Sequence, residues 1–114
     1  MLIRSTDKLS EVKRDFRGGK GEIFINYFLK EDRDKGAIKA MHVLIPPGSS
    51  VGYHQHLGDE EIYFILKGKG EVNDNGEIKE VEPGDLVITR SGESHGIKCI
   101  SDEPLEILAI INKV

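Results

Sequence analysis

A chain of 114 residues, 38% hydrophobic and 32% charged, is the size of one globular domain and long enough to bury a single core. A net charge of −4 and a pI near 5.6 argue against a nucleic-acid footprint. No apolar run approaches the roughly 20 residues that cross a bilayer, and the first eight residues lack the apolar stretch of a signal peptide.

Residues 5–17 place Leu9, Val12 and Phe16 at helical spacing and predict one short polar turn or helix, broken by Gly18, Gly19 and Gly21. Glu22 to Leu29, rich in Ile, Phe and Tyr, reads as a strand. The mixed-charge stretch Lys30 to Gly36 reads as a solvated loop. Ala37 to Ile45 is a second strand, closed by Pro46-Pro47-Gly48, which cannot continue a ladder. Short strands follow at Val51 to His56, Glu61 to Lys67, Gly70 to Asn73, Glu77 to Val81 and Leu86 to Thr89, then at His95 to Ile100 and Leu105 to Ile111. Asn75-Gly76 tolerates the positive φ of a type I′ turn and so marks a hairpin. Short strands with frequent turn signals predict an all-β antiparallel sandwich or barrel.

The chemistry concentrates in a few residues. Successive strand side chains point to opposite faces, so His54 and His56 lie on one side. Glu61 opens the next apolar run and can reach back across the hairpin; His95 follows near the far end. Three neutral imidazoles and one carboxylate suit a divalent transition metal.

The wider spacing is more specific. Gly48 to Gly68 reads Gly, five residues, His54, one residue, His56, four residues, Glu61, six residues, Gly68. Gly84 to Cys99 reads Gly, five residues, Arg90, one residue, Gly92, two residues, His95, three residues, Cys99. These two stretches resemble the paired motifs of the cupin superfamily. The first matches in full. The second departs at Arg90, where the family usually has Pro, and at Cys99, where it usually has Asn. Neither position is a metal ligand in the family.

The resemblance implies a double-stranded β-helix (cupin or jelly-roll) barrel over residues 37–114, with residues 1–36 as an N-terminal extension and first strand. It implies one metal ion per chain, held by His54, His56, Glu61 and His95 with two positions left open. Mn or Fe suits mixed imidazole and carboxylate ligation best, and Ni, Co, Cu and Zn fit the same donors. Single-domain cupins of this kind are likened to the oxalate decarboxylase group, which makes the expected function an enzyme acting on a small carboxylate or other small anion. The alternatives are a metal-dependent dioxygenase or isomerase, and a module that binds a small ligand without turnover. Small cupins commonly pair, and the strand Glu22 to Leu29 needs a sheet edge to join, so a homodimer is expected.

Other residues carry weaker signals. Tyr63 is two residues past Glu61, shares its face, and is a candidate contact to ligand or substrate. Arg90 is a candidate bidentate clamp for a substrate carboxylate, set against the simpler reading of a solvated loop arginine. A decarboxylase also needs a proton donor, for which Glu60 and Glu93 are candidates if a loop brings them over the metal. Asp59 and Glu60 otherwise read as loop surface. His42 reads as a packed or surface histidine before a pocket group, and Tyr27 and Tyr53 as packing or rim residues. Cys99 shares the face of His95 and reads as a small buried hydrophobe before a reactive thiol. As the single cysteine it has no intramolecular disulfide partner, which fits a reducing cytoplasm; the acidic charge and the lack of a spanning apolar run predict no nucleic-acid or membrane partner. Scarce Asn, Gln and Cys beside abundant Lys and Glu predict a high melting temperature.

Overall fold

Gly and Pro turns divide the chain into strands too short to fold alone, and two sheets share the resulting apolar faces. The computed structural model describes residues 1–30 and 37–114. Among them are ten strands: β1 (Leu9–Arg14), β2 (Glu22–Leu29), β3 (Ile38–Ile45), β4 (Ser50–Gln55), β5 (Asp59–Lys67), β6 (Gly70–Asp74), β7 (Glu77–Val81), β8 (Leu86–Thr89), β9 (Ser94–Cys99) and β10 (Leu105–Lys113). One antiparallel sheet runs β1-β2-β3-β10-β5-β8 and the other β4-β9-β6-β7. This is the double-stranded β-helix barrel of the jelly-roll type.

Strand alternation builds the interior. Ile23 and Ile25 of β2, Met41, Val43 and Ile45 of β3, Ile65 of β5 and Leu105, Ile107 and Ala109 of β10 are buried from one sheet. Val51, Val72, Val81, Ile97 and Cys99 meet them from the other. The β6–β7 hairpin turns at Asn75 and Gly76, whose φ angles of 53° and 95° are the positive values a type I′ turn needs.

Two expectations are corrected. The predicted turn or helix over residues 5–17 is a 3-10 turn at Ser5–Asp7, the strand β1, and a second 3-10 turn at Phe16–Gly18. Leu9 and Val12 remain 45% and 56% exposed, so no buried face rewarded a helix there. The backbone instead pairs with β2 over six residues, Leu9 opposite Tyr27 through Arg14 opposite Glu22. The second correction follows directly. Glu22–Leu29 is not an edge seeking a partner chain, because β1 covers one side and β3 the other. Of the charged loop, residues 31–36 lie outside the described residues.

The outward face of the larger sheet carries apolar rows beside the His42–Glu106 pair. Register places Phe24 beside Leu44, and Phe64 between Leu108 and Leu86. Ile62 lies between Ile110 and Ile88 in the next row. Phe64 and Leu86 are 37% and 57% exposed.

Candidate metal centre

The site forms where the two sheets face each other at one end of the barrel. Val51 pairs with Ile97 and His54 with His95, so β4 spends three steps where β9 spends two. That irregularity turns His54 to the interior side, although simple alternation from buried Val51 points it outward. His56 is buried just past the end of β4, Glu61 is buried on β5, and His95 is 1% exposed on β9.

The four side chains converge. Ligand atoms of His54, His56, Glu61 and His95 all lie within 4.8 Å of one another. His56 Nε2 and His95 Nε2 are 3.0 Å apart, and each is 3.2 Å from Glu61 Oε1. Donors at roughly 2.1 Å from a common ion, at right angles, stand about 3 Å apart, so the spacing fits a single metal ion.

The outer nitrogen of each ring is held. His54 Nδ1–H donates to the Gly52 carbonyl at 2.8 Å, and His56 Nδ1–H donates to Asp59 Oδ1 at 2.7 Å. Both acceptors can only accept, so each neutral ring keeps its proton on Nδ1 and turns the Nε2 lone pair inward, and His56 donates to Glu61 only when its Nε2 takes a second proton. His95 Nδ1 meets the hydroxyl of fully buried Thr89 at 2.8 Å. Such anchoring of the far ring nitrogen is the usual support of a metal-ligating histidine. It also presses electron-rich atoms together, an arrangement that a cation between them relieves.

The electrostatics agree. Glu61 is pulled below the usual carboxylate value: burial pushes it up, but hydrogen bonds from His56 and His95 outweigh burial. His54 is lowered, mainly by burial, which favours the neutral ligating form. His56 is raised, first by its hydrogen bond to Glu61 and then by Asp59 against the effect of burial. Tyr63 stacks on His95, with ring centroids 4.8 Å apart and an interplanar angle of 14°. Burial, then the adjacent Glu61 charge, raises its hydroxyl well above the ordinary tyrosine value, so it stays protonated beside the carboxylate.

A family model for the cupin domain matches residues 41–111. The chain belongs to the cupin family. It is 43% identical, over 112 residues, to the oxalate-binding protein of Thermotoga maritima, an overlap of 97% of this chain and 93% of that one. The fold superposes with a TM-score of 0.92 on the crystal structure of a predicted oxalate decarboxylase from the same organism, at 39% identity and over the whole of both chains. The cupin domain of Schizosaccharomyces pombe Cnp3 shares the fold at 18% identity, with a TM-score of 0.74 over 91% of this chain and 69% of that one.

Within this cupin, Tyr63 and His54, His56 and Glu61 line a cavity of about 100 Å³. Ile23, Ile25 and other apolar residues form much of its remaining wall. Arg90 is not among the lining residues; it is exposed, with its guanidinium 3.5 Å from Glu60. Glu93 caps its own turn, accepting from the Arg90 backbone N–H at 2.8 Å and from Asn75 Nδ2 at 3.0 Å. His42 faces away from the barrel interior, with Nε2 2.9 Å from Glu106 Oε1. Buried Cys99 donates its thiol to the Glu103 carbonyl at 3.2 Å. Tyr27 lines the cavity and Tyr53 is exposed. Sequence reasoning missed Thr89, Arg17 and Lys39. Thr89 had a usable signal, since it sits six residues before His95 at the end of a strand; the two cations had none.

Proposed function

We propose that His54, His56, Glu61 and His95 hold one divalent transition metal, and that the protein uses it to bind a small carboxylate, with oxalate the first candidate. The observation that carries this reading is the inward convergence of histidine Nε2 atoms and one carboxylate oxygen while every outer ring nitrogen is anchored. The relative named an oxalate-binding protein supports the ligand class. The bound ion would supply a Lewis acid that fixes and polarises a carboxylate oxygen. The residues of this chain do the rest. Tyr63 holds a proton against Glu61 and keeps that carboxylate oriented, and the apolar wall of the cavity excludes water from the ligand. Mn(II) or Fe(II) is the preferred ion, because open positions beside mixed nitrogen and oxygen donors suit both. A cytoplasmic setting accords with the lone buried thiol.

Decarboxylation of oxalate to formate and carbon dioxide consumes one proton, which some group must deliver. Glu60 and Glu93 are engaged at Arg90 and Asn75, so binding is favoured over turnover. Elemental analysis of the wild type, His56→Ala and His95→Ala tests the metal assignment. About one metal per wild-type chain and strongly reduced content in both variants are expected; equal content in all three rejects it. Formate production by the Mn-loaded protein in oxalate would replace the binding reading with the decarboxylase one.

The outward apolar face of the larger sheet offers a surface for a second copy of the chain, and we assign the homodimer to it. Phe64 with Leu108 and Leu86 forms one apolar row across β10, β5 and β8, and Ile62 with Ile110 and Ile88 the next, while the His42–Glu106 pair separates them from Phe24 and Leu44; exposed apolar surface of this kind is where a partner docks.

A further inference from the structure

Two cations line the cavity with His54, His56 and Glu61: Arg17, from the turn between β1 and β2, and Lys39 of β3. Among the described residues neither forms an ion pair. Lys39 shares the inward face of Met41 and lies in the same cross-strand row as Glu61. It is opposite Ile111 of β10, which is opposite Glu61 of β5. Two strand spacings, each about 4.8 Å, therefore separate their backbones.

Arg17 is held more elaborately. Its φ and ψ of 56° and 31° lie in the left-handed region, which a non-glycine residue occupies only where its surroundings enforce it. Here they do. Asp15 N–H donates to the Gly21 carbonyl at 2.9 Å, and Gly21 N–H returns a bond to Asp15 Oδ1 at 3.1 Å. Lys20 N–H donates to Ser50 Oγ and Ser50 N–H to the Lys20 carbonyl, both at 2.9 Å. The turn packs backbone to backbone on β4, so a Cβ on Gly52 would collide with the Arg17 carbonyl and one on Gly19 with that of Ser50. Two residues past Gly52 stands His54. The guanidinium lies 5.4 Å from the ring centroid of Phe16, another wall residue.

We propose that Arg17 grips the outer oxygens of a small dicarboxylate whose inner oxygens are held at the metal centre, making this a site selective for compact dianions over monocarboxylates. The inference rests on the metal–carboxylate reading above. A divalent ion and Glu61 together leave one net positive charge; Arg17 and Lys39 raise it to three, so a dianion leaves one positive charge uncompensated and a monoanion leaves two. The planar guanidinium can meet two carboxylate oxygens at once. The cavity of about 100 Å³ confines the choice to short ligands.

Titration calorimetry of oxalate and of acetate into the Mn-loaded protein tests this, with Mn affinity measured alongside. The variants are Arg17→Asn, Arg17→Lys and the surface control Lys98→Gln. Asn tolerates the left-handed backbone while removing the guanidinium. Arg17→Asn should lose about tenfold or more in oxalate affinity, the scale of a broken charge-assisted pair. Its Mn and acetate affinities should stay within about twofold of wild type. Arg17→Lys should fall between, and Lys98→Gln should match wild type. Undiminished oxalate affinity in Arg17→Asn overturns the inference and leaves the metal–carboxylate reading standing. Equal losses for oxalate, acetate and Mn also overturn it, since they indicate a disturbed turn rather than a lost grip. No oxalate binding by the wild type overturns both.

Discussion

Replacing Thr89 with Val removes one oxygen from a fully buried residue whose hydroxyl meets His95 and whose backbone, which the substitution leaves in place, pairs with Glu61 across β5 and β8. To present Nε2 to a metal, His95 must carry its proton on Nδ1, and Thr89 Oγ1, 2.8 Å away, accepts it. In metal-free Thr89→Val the ring can move that proton to Nε2, where Glu61 Oε1 stands 3.2 Å away as an acceptor. Metal binding then returns the proton to an Nδ1 with no partner, in a residue 1% exposed. Leaving a buried donor unsatisfied costs about 1–3 kcal/mol, or roughly 5- to 150-fold in metal affinity. Loss of a group supporting a metal-ligating histidine, roughly 10–100-fold, falls inside that range. Because the penalty falls on the metal-bound state, the metal-free protein should fold normally while its Mn(II) affinity drops at least tenfold. Calorimetric titration of Mn(II), with circular dichroism of both metal-free proteins, measures this. Affinity within about twofold of wild type would show that the Thr89 contact does not orient His95.

Three further outcomes follow from the same structure. Metal must compete with protons, and Glu61 first, then Asp59, hold His56 above the ordinary histidine value, so Mn(II) affinity should fall as pH drops, beginning at a higher pH than an ordinary histidine would set; equal affinity at pH 5.5 and 7.5, by calorimetry, would contradict the ligand set. Phe64→Glu places a charge at the centre of an outward apolar row, and light scattering should shift from a dimer to the 12.7 kDa chain; a wild type already at that mass removes the dimer. The Lys- and Glu-rich, Asn- and Gln-poor composition should give a melting temperature above about 65 °C by calorimetry, and a midpoint in the mesophilic range would count against it.

Alternation and turn chemistry made the strand plan legible, because both are local. Glu22–Leu29, Glu77–Val81 and Leu86–Thr89 were readable to the residue, and Asn75-Gly76 announced its hairpin. The clustering of His54, His56, Glu61 and His95 was legible too, since the motif spacing is a linear record of which strand ends meet. The structure then brought them within 4.8 Å of one another. What needed tertiary structure was everything set by partners distant along the chain. Leu9, Val12 and Phe16 carried a helical spacing that lost to six residues of pairing with β2, which only the folded sheet supplies. The same pairing covers the edge of Glu22–Leu29 from which a homodimer is expected on sequence alone. Arg90 stands five residues before His95 in the chain yet outside the cavity, whereas Arg17, 78 residues before it, lines that cavity. Sequence distance measures neither separation, because the Phe16–Gly18 turn reaches the site by packing on β4 through the bare backbones of Gly19 and Gly52. Residue types and strand periodicity determined what chemistry this chain can hold; the packing of that turn against β4 decided which cation faces it.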